Sequence, residues 1–195
     1  MTLGHAGEES RLEGATMPVR NRRASREEVS SNHVTSNRPC EIAPPPGVQN
    51  IILLNMTIYR QDDRAAGIQV AGPVPPPNST FAFGTTAVGD VPMTVTPDPH
   101  SKEIARLRGT FFGVSKSDPN NTRSYMTHIS FIRGKYKGSS LSILGISNYF
   151  DLMRERPIVG GNRKLRLASG YIEARDISDN PNVEEYRICC LHYGS

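Results

Sequence analysis

From Ile51 onward, apolar residues recur at every second position in short runs, and clusters of Pro, Gly, Asn and Asp end each run before a helical period can establish itself. Leu54, Met56 and Ile58 alternate with Asn55, Thr57 and Tyr59; Tyr125, Thr127, Ile129 and Phe131 alternate with more polar neighbours. Successive side chains of a strand point to opposite faces, so this two-residue period is that of a half-buried β-strand. Eight such runs are expected, over 51–59, 66–70, 81–88, 104–114, 123–133, 139–145, 164–174 and 183–193. Between them lie Pro-rich 72–77, the loop 90–100 with Pro92, Pro97 and Pro99, and the turns Asp118-Pro119-Asn120-Asn121 and Asp179-Asn180-Pro181-Asn182. The 15 prolines and 17 glycines among 195 residues fit a chain of many turns.

Eight strands on short connections predict an antiparallel meander. Closing it into a β-barrel removes its edges and leaves an interior wide enough for side chains or one small ligand; a two-sheet sandwich uses the same strands. The fold class expected is all-β, an eight-stranded antiparallel β-barrel over 48–195. Residues 1–47 differ in character: Ser, Arg, Glu and Asn dominate, and Pro44-Pro45-Pro46-Gly47 ends the stretch. Such a composition cannot bury enough apolar surface to offset ordering, so a disordered N-terminal tail is expected there. Its RNRRASREE segment reads as solvated charge.

Several function classes drop out. The net charge of +4 is mild and the arginines are scattered, which argues against nucleic-acid binding. No run of 18 apolar residues exists, so no membrane helix is expected. Phosphate-binding loops, dinucleotide fingerprints, G-x-S-x-G elbows and H-E-x-x-H pairs are all missing. Five histidines at 5, 33, 100, 128 and 192 form no triad pattern, and Cys190 with His192 on one strand face is too little for a metal site. No catalytic residue, metal or cofactor is therefore expected. The three cysteines permit one bridge from Cys40 to Cys189 or Cys190, or three free thiols. The residues by themselves leave Arg154, Arg156 and Arg163 as charges that keep an exposed loop soluble.

Ordered motifs then carry a resemblance. Met153-Arg154-Glu155-Arg156-Pro157-Ile158-Val159-Gly160-Gly161 is similar to the R-E-x-P-V-V-G-G-T-G loop of plant dirigent proteins. Leu165 to Tyr171 resembles their F-R-x-A-R-G-Y strand, and Gly134 to Gly145 their G-x-Y-N-G-S-T-L-x-I-x-G hairpin. The likeness covers about residues 50–193. It implies an eight-stranded barrel, usually a homo-oligomer (trimer or dimer), with one pocket per chain. The implied activity is non-oxidative. A laccase or peroxidase makes phenoxy radicals from a monolignol such as coniferyl alcohol, and the pocket orients them so that coupling in lignan biosynthesis is regio- and stereoselective. Fixed orientation then replaces random collision.

Carried over position by position, the resemblance puts the pocket arginine on Arg154. The family's pocket aspartate falls on Ser147, its first-strand aspartate near Arg60, and its fourth-strand tyrosine on Phe111. Those four are the expected substrate-binding residues. Because serine and phenylalanine supply no carboxyl or phenol proton, the resemblance favours orientation over acid-assisted cyclisation, with a phenolic-binding protein without coupling activity as a further alternative. Arg154 is expected to turn inward from a loop that caps the barrel, with Gly160-Gly161 supplying a backbone conformation other residues resist. The family also implies the apoplast, whereas the N-terminus as written has no apolar signal segment, which predicts an intracellular protein if the start is correct.

Overall fold

The computed structural model describes residues 39–47, 49–61, 67–73, 83–117, 122–148, 151–177 and 180–193. The expected tail lies outside the described residues over 1–38. The strands are β1 (Ile51–Gln61), β2 (Gly67–Ala71), β3 (Thr86–Thr94), β4 (Glu103–Gly113), β5 (Thr122–Phe131), β6 (Ser140–Asn148), β7 (Arg154–Gly161), β8 (Ser169–Ile177) and β9 (Asn180–Tyr193). All pairings are antiparallel, in the order β1-β9-β8-β7-β6-β5-β4-β3-β2, and β1 also pairs with β3. That last pairing closes the sheet. β2 lies along Thr86–Gly89 of β3 and β1 along Met93–Thr94, so the two share one stave and the ring has eight. At the seam Gln61 donates through Nε2 to Thr94 Oγ1 at 2.7 Å, an internal partner for a buried amide.

The inward face follows the two-residue period. Ile58, Met93, Ala105, Leu107, Ile129, Leu141, Ile143, Ile172, Tyr186 and Ile188 form the core, each 0–1% exposed. Each fully buried Ile or Leu contributes about 1.5–3 kcal/mol of transfer free energy. One end of this core is stoppered by side chains: Leu165 and Ala168 near a short 3-10 turn (Arg163–Leu165), and Tyr136, whose ring lies edge-on to His192 at 5.7 Å. His192 spends its ring nitrogens on Tyr136 Oη and the Tyr193 carbonyl. Cys190, its same-face neighbour, is a buried free thiol whose pKa burial pushes up to about 12.

Three details differ from the sequence expectation. The stretch after Met153 is strand β7 rather than a capping loop, and the strand expected over 164–174 starts later, at Ser169. Charge at alternate positions hid β7. The third strand runs through Pro92 instead of ending at 88. Pro92 pairs with Arg106 of β4, while its other side lies between the β2 and β1 pairings among the described residues, the kind of locally unpaired strand side where proline is tolerated. Finally, Gly160 and Gly161 have ordinary φ values. Gly161 is needed for close approach instead: a Cβ there would sit 2.2 Å from the Leu165 carbonyl oxygen and 2.9 Å from that of Ser140, whereas Gly160 has open space.

Cys40 is joined to Cys189 on the outward face of β9, and the Glu41 backbone N–H donates to Tyr171 Oη at 3.0 Å. The chain before β1 is therefore fastened across β9 and β8. Among the described residues no helix is long and apolar enough to cross a membrane.

Candidate functional site

Opposite the Tyr136 end, inward-facing positions turn from apolar to charged. Arg60 follows Ile58 on the inner face of β1, Glu184 precedes Tyr186 on β9, and Arg154 and Arg156 precede Ile158 on β7. Register brings them together. Arg60 lies opposite Glu184, Asp176 of β8 lies opposite Glu184 on its other side, and Arg154 pairs with Ala174, the next residue on the same face of β8.

Glu184 is the hub. Its Oε1 accepts from Arg154 Nη2 at 2.8 Å, Arg154 Nε at 3.1 Å and Arg156 Nη2 at 2.7 Å; its Oε2 accepts from Arg60 Nη1 at 3.0 Å. Its side chain is 5% exposed. Burial alone would push the carboxyl up, but Arg156, Arg60 and Arg154 outweigh it and hold Glu184 at about 2 against an ordinary 4.5. The group is a carboxylate at any physiological pH and has no proton to give. Arg154, 2% exposed at its side chain, also donates to both oxygens of Asp176, at 2.7 and 3.3 Å, and to the Asp151 carbonyl at 3.0 Å. Burial lowers its pKa, but the bonds and charges of Asp176 and Glu184 win and raise it.

Arg156 joins the charges to the aromatics. Its guanidinium carbon lies 4.7 Å from the Tyr186 ring centroid and 5.5 Å from that of Tyr125, within cation–π range. Its Nη1 donates to Tyr186 Oη. Burial lowers its pKa, and Glu184 only partly offsets this against Arg60 and Arg154. Tyr125 points inward between Phe111 of β4 and Gly145 of β6. Gly145 is glycine for room, because a Cβ would lie 2.9 Å from Tyr125 Oη.

Of the four expected binding residues, the fold joins Arg60 and Arg154 through one carboxylate. Phe111 lies beside Tyr125 and reaches the cluster through it, half-buried. Ser147, half-buried, lies opposite Arg123 of β5 and shares its strand face with Leu141 and Ile143. Among the three arginines read as solubilising, only Arg163 is exposed; Arg154 is buried and Arg156 nearly so. Glu184, Arg156 and Asp176 were not anticipated. A signal for them exists in strand parity, since Glu184 shares its face with Tyr186, Ile188 and Cys190, and Arg156 shares its face with Ile158.

The sequence profile described as Dirigent-like protein matches residues 51–191. Dirigent protein 1 of Arabidopsis thaliana is 32% identical over 132 residues, spanning 67% of this chain and 71% of its own. Pterocarpan synthase 1 of Glycyrrhiza echinata is 33% identical over 129 residues, spanning 64% of this chain and 68% of its own. The solved structure of a pterocarpan synthase dirigent protein superposes with a TM-score of 0.67 at 28% identity, covering 76% of this chain and 89% of that one. The closed barrel, the ordered motifs along it and a profile match over residues 51–191 together identify the chain as a member of the Dirigent-like protein family.

Proposed function

We propose that this protein holds phenolic molecules at the charged end of its barrel and gives regio- and stereoselectivity to the coupling of phenoxy radicals that a separate laccase or peroxidase generates. The observation that supports this most is the arrangement of Arg156 over Tyr125 and Tyr186, locked by Glu184. Aromatic faces and fixed N–H donors bind a ring and its oxygen substituents in one orientation, and orientation is all that selective radical coupling asks of a protein. Monolignols such as coniferyl alcohol are the substrates to try first.

The pterocarpan synthase relatives favour a second reading, in which the site promotes synthesis from a phenolic intermediate. General acid assistance would need a carboxyl that keeps its proton. Glu184 does not, with its pKa at about 2. That supports orientation over proton donation for the described part of the site.

The setting is proposed on the same footing. The Cys40–Cys189 bridge supports an oxidising compartment such as the apoplast. Exposed Met126, Leu144, Ile146 and Val159 on the outer wall support a homo-oligomer. The test is coniferyl alcohol coupled by a laccase with and without the protein, read by chiral chromatography. An enantiomeric excess in a dimer that is otherwise racemic is expected; a racemate at every protein concentration would remove this substrate from the proposal.

A further inference from the structure

Lysine and arginine are scattered along the chain, but the fold gathers six of them at the stoppered end of the barrel. Arg133, Lys135 and Lys137 lie in the turn between β5 and β6, and Arg163, Lys164 and Arg166 in the turn between β7 and β8; all are exposed. The two turns form one surface. Lys164 donates through Nζ to the Lys135 carbonyl at 2.9 Å, its backbone N–H donates to Ser139 Oγ at 3.3 Å, and the Ser140 N–H donates to Asn162 Oδ1 at 2.8 Å. A Cβ on Gly138 would lie 3.0 Å from Arg163 Nη1, so that glycine leaves the room the guanidinium occupies.

These charges are not balanced locally. Among the described residues none of the six makes an ion pair. The described acids at this end are Asp98 and Glu103, and Glu103 is held by Arg106 at 2.8 Å. Residues 1–38 bring no surplus of acid either, with six arginines against five glutamates. A surface of one sign raises the local concentration of the opposite sign. The backbone gives a second sign of use. Arg163 has φ of 50°, in the left-handed region that favours glycine, and the dirigent loop motif ends on glycine at this position. Strain kept for the sake of a charged side chain points to a role for the charge.

We propose that the stoppered end docks onto an acidic polysaccharide, a chain of uronate carboxylates, and leaves the Glu184 end free. Repeated carboxylates match exposed lysines and arginines in charge, and guanidinium pairs with carboxylate in a fixed geometry. RNA and the anionic cytoplasmic face of a membrane also offer repeated anions. Both lie on the reducing side of the cell, whereas the Cys40–Cys189 bridge favours the oxidising side. The choice of polymer therefore rests on the oxidising setting proposed above; it does not depend on which phenolic the barrel takes.

The test is binding of the full chain, bridge intact, to polygalacturonate and to its fully methyl-esterified form. Polygalacturonate should bind and the ester should not. Raising salt from about 50 to 200 mM should weaken binding by about tenfold or more. Arg163→Gly relaxes the backbone, so the melting temperature should hold or rise while affinity falls about two- to fivefold, the share of one exposed ion pair. Adding Lys135→Gln and Lys137→Gln should bring the loss to about tenfold or more and flatten the salt dependence. No binding at low salt, equal binding of the ester, or an affinity untouched by the triple substitution would overturn the docking surface. Free thiols at Cys40 and Cys189 in protein isolated from plant cells would overturn the oxidising setting, and the polysaccharide with it, in favour of RNA.

Discussion

Glu184→Ala is expected to lower the unfolding free energy by about 3–5 kcal/mol, the range for removing one partner of a buried ion pair. Arg156 would keep its burial and lose its carboxylate, Arg154 would lose Glu184 while keeping Asp176, and Arg60 would lose the same anion. Guanidinium denaturation curves measure the loss. A Leu in place of Arg156 should cost less, because Glu184 keeps Arg60 and Arg154. Acid should act as the substitution does. The carboxyl sits at about 2 in the fold against an ordinary 4.5, so its contribution is complete above pH 4.5 and drains away as pH falls towards 2. Thermal melts across that window should decline steeply for the unaltered protein and more gently for Glu184→Gln. A melting temperature that declines equally in both would show that Glu184 is not the hub.

The second large effect belongs to the bridge. Cys40 and Cys189 are separated by 149 residues, and a loop of that length places the disulfide towards the upper part of the usual range, about 2–5 kcal/mol. Cys40→Ser, or reduction of the unaltered protein, should lower the denaturation midpoint accordingly and steepen the slope, because the opened chain exposes more surface on unfolding. Cys190 should not substitute for Cys189. It faces the core rather than the outer wall, and with its pKa at about 12 it carries almost no thiolate for exchange. Labelling of the native protein with a thiol reagent should therefore be slow at Cys190. Rapid labelling before unfolding would contradict its position in the core.

The alternation in β1, β4, β5 and β9 was legible because each of these strands has one face in the core. Ile58, Leu107, Ile129 and Ile188 fall where a period of two puts them. β7 was not legible. Arg154 and Arg156 occupy its inward positions, so its apolar parity is broken at the end where the interior is ionic, and the run reads as a charged loop. Pro92 misled for a related reason: a proline argues against a strand unless one side lacks a neighbour, and which side lacks one is decided by how β1 and β2 share β3.

The candidate site was half legible. The family motif led to Arg154, but Glu184 lies thirty residues further along the chain, and only register across β8 joins them. A glutamate on the apolar face of a strand can be suspected from parity. Its ring of arginines requires the closed sheet. Likewise the spacing of three cysteines allowed either bridge, and the outward direction of Cys189 selected between them.

The central claim is that phenolic ligands enter at the Glu184 end of the barrel. Arginine side-chain Nε–H resonances report on it directly. In a titration of isotopically labelled protein with coniferyl alcohol, the Arg156 Nε–H signal should shift most, with backbone shifts around Phe111, Tyr125 and Ser147. Signals from Tyr136 and His192, at the stoppered end, should stay in place. Shifts confined to that end, or to the outer wall around Met126 and Leu144, would contradict the account.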